Sequence, residues 1–233
     1  MTGHDTELKT GLKNGLRNGL ILATFALLST GLTTITWLLT KERIQTEKEL
    51  ALFRAISELV PSDRFTNDPY HDCTLLFNAQ LLGSEEPQSA WRLRDAKGAP
   101  VAVVISSIAP NGYNGKIELI VGHYVNNSSA NSLAGVRVTE HKETPGLGDK
   151  VNPQKSDWIL QFANIVTAAM KKEDWQVKKD GGQFDAFTGA TITPRAVLSA
   201  ISKNIDYFYQ YQDQIFTAPA NCFAEQDKDL GND

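Results

Sequence analysis

Apolar and polar positions divide the chain into three regimes. Between Arg17 and Lys41 stand 23 residues without a charge. As a helix they reach about 34 Å at about 1.5 Å per residue, enough to cross a bilayer core of about 30 Å. Threonine is frequent in this stretch, and in a helix each hydroxyl can bond a carbonyl one turn back and so stay satisfied in lipid. Trp37 sits near one end, where interfacial aromatics are expected. The stretch is longer than the apolar region of a usual signal peptide, and no small-x-small cleavage site follows it, which favours a retained anchor. Lys9, Lys13 and Arg17 precede it and Lys41, Arg43, Lys48 and Arg54 follow it, so the distribution of basic residues leaves orientation open. Helical spacing resumes at Leu52, Ile56, Leu59 and Val60 and stops at Pro61. The predicted organisation is a leader over 1–17, a transmembrane helix over 18–40, a helical stalk over 41–61 that docks on a domain spanning 62–218, and a short polar tail over 219–233.

Within the domain the period changes. Residues 62–98 are mixed, with one strand predicted around Cys73 to Phe77. The β-branched run at 100–108 reads as a strand, Pro110, Asn111 and Gly112 as its turn, and Ile117, Leu119 and Val121 as the alternating face of a return strand. A third strand is expected through Val136 and Val138. Ser156 reads as the cap of a helix over 157–172 that places Phe162, Val166 and Ala169 on one face and Lys171 and Lys172 at its end. Thr193 followed by Pro194 reads as a second cap with proline at the first helical position, and Val197, Ile201, Ile205 and Phe208 form one stripe behind it. The fold class expected is α+β: a single N-terminal transmembrane helix, then a mostly antiparallel sheet packed by helices.

Composition narrows the partners. Against 27 acidic residues stand 23 Lys and Arg, a net charge of −4, and no long basic run occurs, so the electrostatic footprint needed for nucleic acid is missing. The two cysteines, Cys73 and Cys222, lie far apart and without the spacing of a zinc or iron–sulfur site, so no metal site is expected. They are either a bridge between the start and end of the domain or two buried thiols.

The most informative segment is DAFTGATITPRAV. Small residues and Gly189 precede a helix start, so backbone N–H groups face outward at the positive end of a helix dipole, a setting that favours a phosphate, with Arg195 in the first turn as an added charge. Local physics leaves two readings open, a phosphate-accepting elbow rich in hydroxyls or an ordinary capped helix start. In the second reading Thr193 is the cap and nothing is bound.

Asp185, Thr188, Gly189, Ala190 and Thr191 match the pattern Asp-x-x-Ser/Thr-Gly-Ala-Thr, which resembles the flavinylation motif of the RnfG and NqrC family, the FMN-binding subunits of the Rnf and Na⁺-pumping NADH:quinone oxidoreductase complexes. Ala186 stands where the family often has glycine. His141 to Val151, HKETPGLGDKV, resembles a second family segment, and GYNGKIELIVG resembles its hairpin; the wording is closer to RnfG than to NqrC. The resemblance implies an FMN-binding domain with FMN joined covalently through its phosphate to Thr191 by a flavin transferase. It implies a cofactor site of Thr191, Thr188, Gly189, Ala190, Ile192, Thr193 and Asp185 with Glu143, Thr144, Pro145, Gly146 and Leu147, and no catalytic residue of the chain's own. His141, Tyr113, Trp158, Lys178 and Lys179 are weaker candidates for contact with the flavin. It further implies an electron-transfer subunit beside iron–sulfur and flavin subunits of an ion-translocating complex that links ferredoxin and NAD, in the bacterial inner membrane with the domain in the periplasm. Related complexes in some bacteria keep a redox-sensing transcription factor reduced. A stand-alone periplasmic flavin reductase and an unmodified assembly subunit are the competing expectations.

Overall fold

The structure, a computed structural model, describes residues 3–125 and 132–222. The chain divides into two compact units, Met1–Ala51 and Leu52–Asp233. Helix α1 runs Gly3–Leu59. In the first unit its residues Gly15–Lys41 are long and apolar enough to cross a membrane, and none of that span is buried. The hydroxyls of Thr24, Thr33, Thr34, Thr36 and Thr40 donate to the carbonyls of Leu20, Ser29, Thr30, Leu32 and Thr36. These five hydroxyls therefore bond within the helix.

The second unit is α+β. Five strands, β1 (Cys73–Leu76), β2 (Gln88–Arg94), β3 (Pro100–Gly112), β4 (Gly115–Tyr124) and β5 (Ser132–Glu140), pair antiparallel in chain order. A single-turn helix, α2 (Ala79–Leu82), lies between β1 and β2, and a long helix, α3 (Ile192–Thr217), is the last element among the described residues. Both sheet faces are covered, which is why the strand at 100–108 reads as an unbroken apolar run rather than a clean alternation. Ala102, Val104 and Ile120 meet Ile56 and Leu59 from the last turn of α1 and Val60 just after it. Ile117, Leu119 and Val121 meet Val197, Leu198, Ile201 and Ile205 of α3, and Val103 and Ile105 meet Phe208. Each such fully buried side chain contributes about 1.5–3 kcal/mol relative to exposure.

Pro219 follows the last turn of α3, whose carbonyls need donors from elsewhere. Two arginines of β2 supply them. Arg92 donates to the carbonyls of Ile215 and Ala218, and Arg94 to that of Phe216. Asp72 holds both guanidinium groups, with Arg92 Nε 2.6 Å and Arg94 Nε 2.7 Å from its oxygens. Cys73 and Cys222 are bridged, their Cα atoms 5.5 Å apart and 149 residues apart in sequence; closing so long a loop removes about 5 kcal/mol of entropy from the unfolded chain on the chain-entropy model. Next to the bridge, Asn221 N–H donates to the Cys73 carbonyl and its side chain accepts from Leu75 N–H. The predicted tail continues, from residue 223, outside the described residues.

Three expectations fail. The helix expected over 157–172 is a short 3₁₀ turn, Asp157–Phe162, although Ser156 does accept the Trp158 N–H as a cap. Beyond it Asn164 takes φ 60°, and residues 164–165 exchange backbone hydrogen bonds with Leu133, so pairing with β5 ends the helix. Val166, assigned to a buried face, is 44% exposed. The hairpin turns at Tyr113–Asn114, whereas Pro110 to Gly112 belong to β3 beyond an irregular register. Strand β2 was hidden by its buried arginine, which breaks the apolar pattern.

One polar pair sits in the core between β4 and α3. His123 Nε2 donates to Asn204 Oδ1 at 2.8 Å, and its ring stacks on Phe208 at 4.4 Å. Burial favours the neutral ring and lowers its pKa from 6.5 to about 4, against the opposing effect of the Asn204 bond. Below pH 6.5 the unfolded chain takes up a proton that the folded chain refuses, so stability is complete above that pH and falls as pH drops toward 4. The expected loss from this group is about 3 kcal/mol across that window. Urea unfolding followed by tryptophan emission checks it. His123→Gln, which keeps a donor for Asn204 but does not titrate, flattens the pH slope; an unchanged slope would assign the acid sensitivity elsewhere.

Candidate functional site

The residues singled out at 141–148 and 185–193 meet beside the tip of the β3–β4 hairpin. After β5 the chain makes a turn closed on the Thr144 carbonyl, which accepts from Leu147 N–H and Gly148 N–H at 3.1 Å each. Gly146 stands at its corner with φ 78°. The second segment is held from below by aromatic rings. Phe187 is buried against Trp158, which contacts Phe162 in turn. Trp158 Nε1 also donates to the Asp185 carbonyl at 2.7 Å. From Phe187 the backbone folds back on itself, Ala190 N–H reaching the Phe187 carbonyl at 3.1 Å, with Gly189 at φ 80° where a side chain would be strained.

This turn delivers Thr191 to the N-cap of α3, and its side chain makes no capping bond. The reading of Thr193 as the cap is thereby corrected. Helix α3 begins two residues earlier than Pro194 implies, and a proline so close to the start removes an N–H that has no intrahelical partner in any case. Thr193 is fully buried and donates its hydroxyl to Glu143 Oε2. The Glu143 carboxylate is shared: Oε1 accepts from Asn114 N–H at 3.0 Å at the hairpin tip. Glu143 N–H in turn donates to His141 Nδ1 at 3.2 Å.

Tyr113, Glu143, Thr144, Leu147, Gly148, Gly189, Ala190, Thr191, Ile192 and Thr193 line one cavity of about 360 Å³. Tyr113, Leu147 and Ile192 are 65%, 41% and 46% exposed. Three large side chains thus line a concave surface to which Glu143, Thr144, Thr191 and Thr193 also contribute. Pro145 and Gly146 are exposed at the outer corner of the loop, and Asp185 and Thr188 are exposed beside the turn; none of the four lines the cavity. Asp185 pairs with Lys178 at 2.8 Å, and Arg195 pairs through two nitrogens with Asp180 at 2.6 and 2.7 Å. The Arg195 hydrogen bond holds the Asp180 carboxyl below its ordinary range. Trp158 packs beneath the turn rather than lining the cavity, whereas Tyr113 does line it. The role of Asn114 escaped the sequence reading; its signal was the Asn-Gly pair, which marks a hairpin tip.

Two family models match the chain, the RnfG N-terminal region over residues 1–59 and the FMN-binding domain over residues 112–206. The second covers the hairpin tip and β4, the loop at 144–148 and the start of α3. Among curated proteins, the chain is 47% identical over 206 residues to the G subunit of the ion-translocating oxidoreductase complex of Pseudoalteromonas atlantica, spanning 88% of this chain and 94% of that one. It is 44% identical over 208 residues to the protein of the same name from Shewanella oneidensis (89% and 96%). Against that of Vibrio cholerae it is 46% identical over 203 residues (87% and 94%).

The two glycines flanking Asp185 in this region separate strain from collision. A Cβ on Gly189 would approach nothing closer than Leu147 Cδ2 at 3.6 Å, so Gly189→Ala meets only its positive φ. The expected loss is about 1 kcal/mol, or roughly 2–4 °C in melting temperature. A Cβ on Gly182 would stand 2.1 Å from the Gln176 carbonyl oxygen, so Gly182→Ala displaces backbone. Thermal melts should therefore rank Gly182→Ala well below Gly189→Ala; the reverse order would contradict this geometry.

Proposed function

The chain belongs to the family of G subunits of ion-translocating oxidoreductase complexes and contains an FMN-binding domain, and from that premise we propose that FMN is held covalently by a phosphoester to Thr191, making the domain a fixed electron relay. The observation that carries this reading is the Thr191 hydroxyl. It stands at the start of a 26-residue helix, unspent by capping, on the wall of a cavity ringed by Tyr113, Leu147 and Ile192.

The residues present fit the group in three respects. An ester needs an alcohol on an exposed turn, which Thr191 offers. A phosphate is favoured by the free N–H groups and positive dipole end of a helix start. An isoalloxazine ring needs apolar walls with a few polar groups, which the exposed side chains and the backbone of the 144–148 loop supply. Bound FMN passes one or two electrons, while the protein sets its position and surroundings. Covalent attachment keeps the distance to neighbouring redox centres constant, which suits a relay rather than a diffusing coenzyme.

The reading extends to the assembly. Residues 18–40 anchor the chain in the inner membrane, and the domain faces the periplasm, where a flavin transferase has access to Thr191. The bridge between Cys73 and Cys222 supports that orientation, because disulfides persist on the oxidising side. The partners are iron–sulfur and flavin subunits of a complex that couples electron flow between ferredoxin and NAD to ion transport.

Two measurements test this reading. On a denaturing gel the native chain, matured in cells, should fluoresce as a flavoprotein, Thr191→Ser should retain the band and Thr191→Ala should lose it; fluorescence persisting in the alanine variant sinks the assignment. In intact spheroplasts, protease should cleave the domain, and a maleimide should label Cys73 and Cys222 only after reduction. Protection of the domain, or labelling without reductant, would reverse the orientation or remove its support.

A further inference from the structure

We infer that Glu143 is a positioning residue rather than a ligand of the cofactor: its buried carboxylate ties the hairpin tip to the first turn of α3 and thereby fixes where Thr191 stands. The inference deepens the reading of Thr191 as the attachment point and rests on it for its functional consequence. Both carboxylate oxygens are already committed, Oε1 to Asn114 N–H at 3.0 Å and Oε2 to the Thr193 hydroxyl. Glu143 is 5% exposed and Thr193 is fully buried. Turning the carboxylate toward a ligand would leave the buried Thr193 hydroxyl without its acceptor, which folded proteins avoid, and would release the hairpin tip at Asn114.

The surrounding backbone is shaped to this arrangement. A Cβ on Gly148 would stand 2.6 Å from Glu143 Oε2 and 2.7 Å from Thr193 Oγ1, and one on Gly112 would stand 2.9 Å from Glu143 Oε1. Glycine at 148 is therefore explained by the carboxylate–hydroxyl pair it leaves room for, whereas a Cβ on Gly146 would meet nothing within 4 Å. Three stretches distant in sequence, at 112–114, 143–148 and 191–193, converge on one side chain. The hydroxyl of Thr191 lies two residues from the point where that side chain grips α3, so loss of the grip releases the helix start.

The test uses the full chain in detergent, first without flavin and then after maturation in cells containing a flavin transferase. In the flavin-free chain, Glu143→Ala should raise amide hydrogen exchange both at the hairpin tip and over residues 192–196 by roughly tenfold, with β1 and β2 unchanged. Glu143→Gln, which keeps an acceptor for Asn114 and a polar partner for Thr193, should restore exchange to within about twofold. Covalent flavin per chain should drop on the order of tenfold in Glu143→Ala and in Gly148→Ala, less in Thr193→Val, and be retained in Glu143→Gln and Thr193→Ser. Thr193→Val removes one of the two bonds and serves if Glu143→Ala does not fold. Exchange unchanged at either segment, or Glu143→Gln failing as completely as Glu143→Ala, would overturn the inference. Covalent flavin persisting in Thr191→Ala would overturn the attachment site alone, and exchange in the flavin-free chain would still decide the role of Glu143.

Discussion

A helix leaves N–H groups without partners at one end and carbonyls at the other, and α3 resolves its two ends in opposite ways. Its C-terminal carbonyls are taken by Arg92 and Arg94, themselves fixed by Asp72. Along its length Val197, Ile201, Ile205 and Phe208 anchor it to the sheet, with His123 and Asn204 as one polar contact among them. The register of the helix is thus set from behind. Its N-terminal end is presented to the cavity with the Thr191 side chain left out of the cap. The hairpin tip, the 144–148 loop and the turn at 187–190 converge on that end.

Charge around this end is quieter than the sequence suggests. Lys178 and Arg195 both lie near the turn, yet each is paired, with Asp185 and with Asp180. The positive potential left at Thr191 is then that of backbone N–H groups and the helix dipole, which act over about one turn. A pair of exposed ion pairs adds little to stability, but here they hold neighbouring cations in fixed places beside the turn.

Most of the fold was legible where one physical rule dominates. The uncharged stretch before Lys41, the alternation through Ile117, Leu119 and Val121, and the stripe from Val197 to Phe208 each obey a single period, and each element is found. The two segments that meet at the cavity were legible only through resemblance, since local chemistry at Thr188–Thr191 does not distinguish a loaded turn from an ordinary helix start. What stayed hidden depends on distant partners. Residues 157–172 carry helical spacing, but a backbone pairing with Leu133 competes for Asn164 and Ile165. Thr193 looks like a cap until Glu143, fifty residues earlier in sequence, claims its hydroxyl. Strand β2 escapes notice because its buried Arg92 finds its acceptors only at the far end of α3.

The two outer strands of the sheet carry a property that neither the cavity nor the helix explains. An unpaired strand edge invites another chain to add to it, with fibrous association as the extreme outcome. On β1 that edge is occupied by Asn221, which bonds on either side of Thr74 and is locked in place by the adjoining disulfide. On β5 it is occupied by Asn164 and Ile165, which bond to Leu133. At these positions the sheet edge is already bonded, so strand addition is disfavoured there. The irregular segment at 164–165, which ends the helical spacing in the sequence, is thus also what covers the edge of β5 at Leu133.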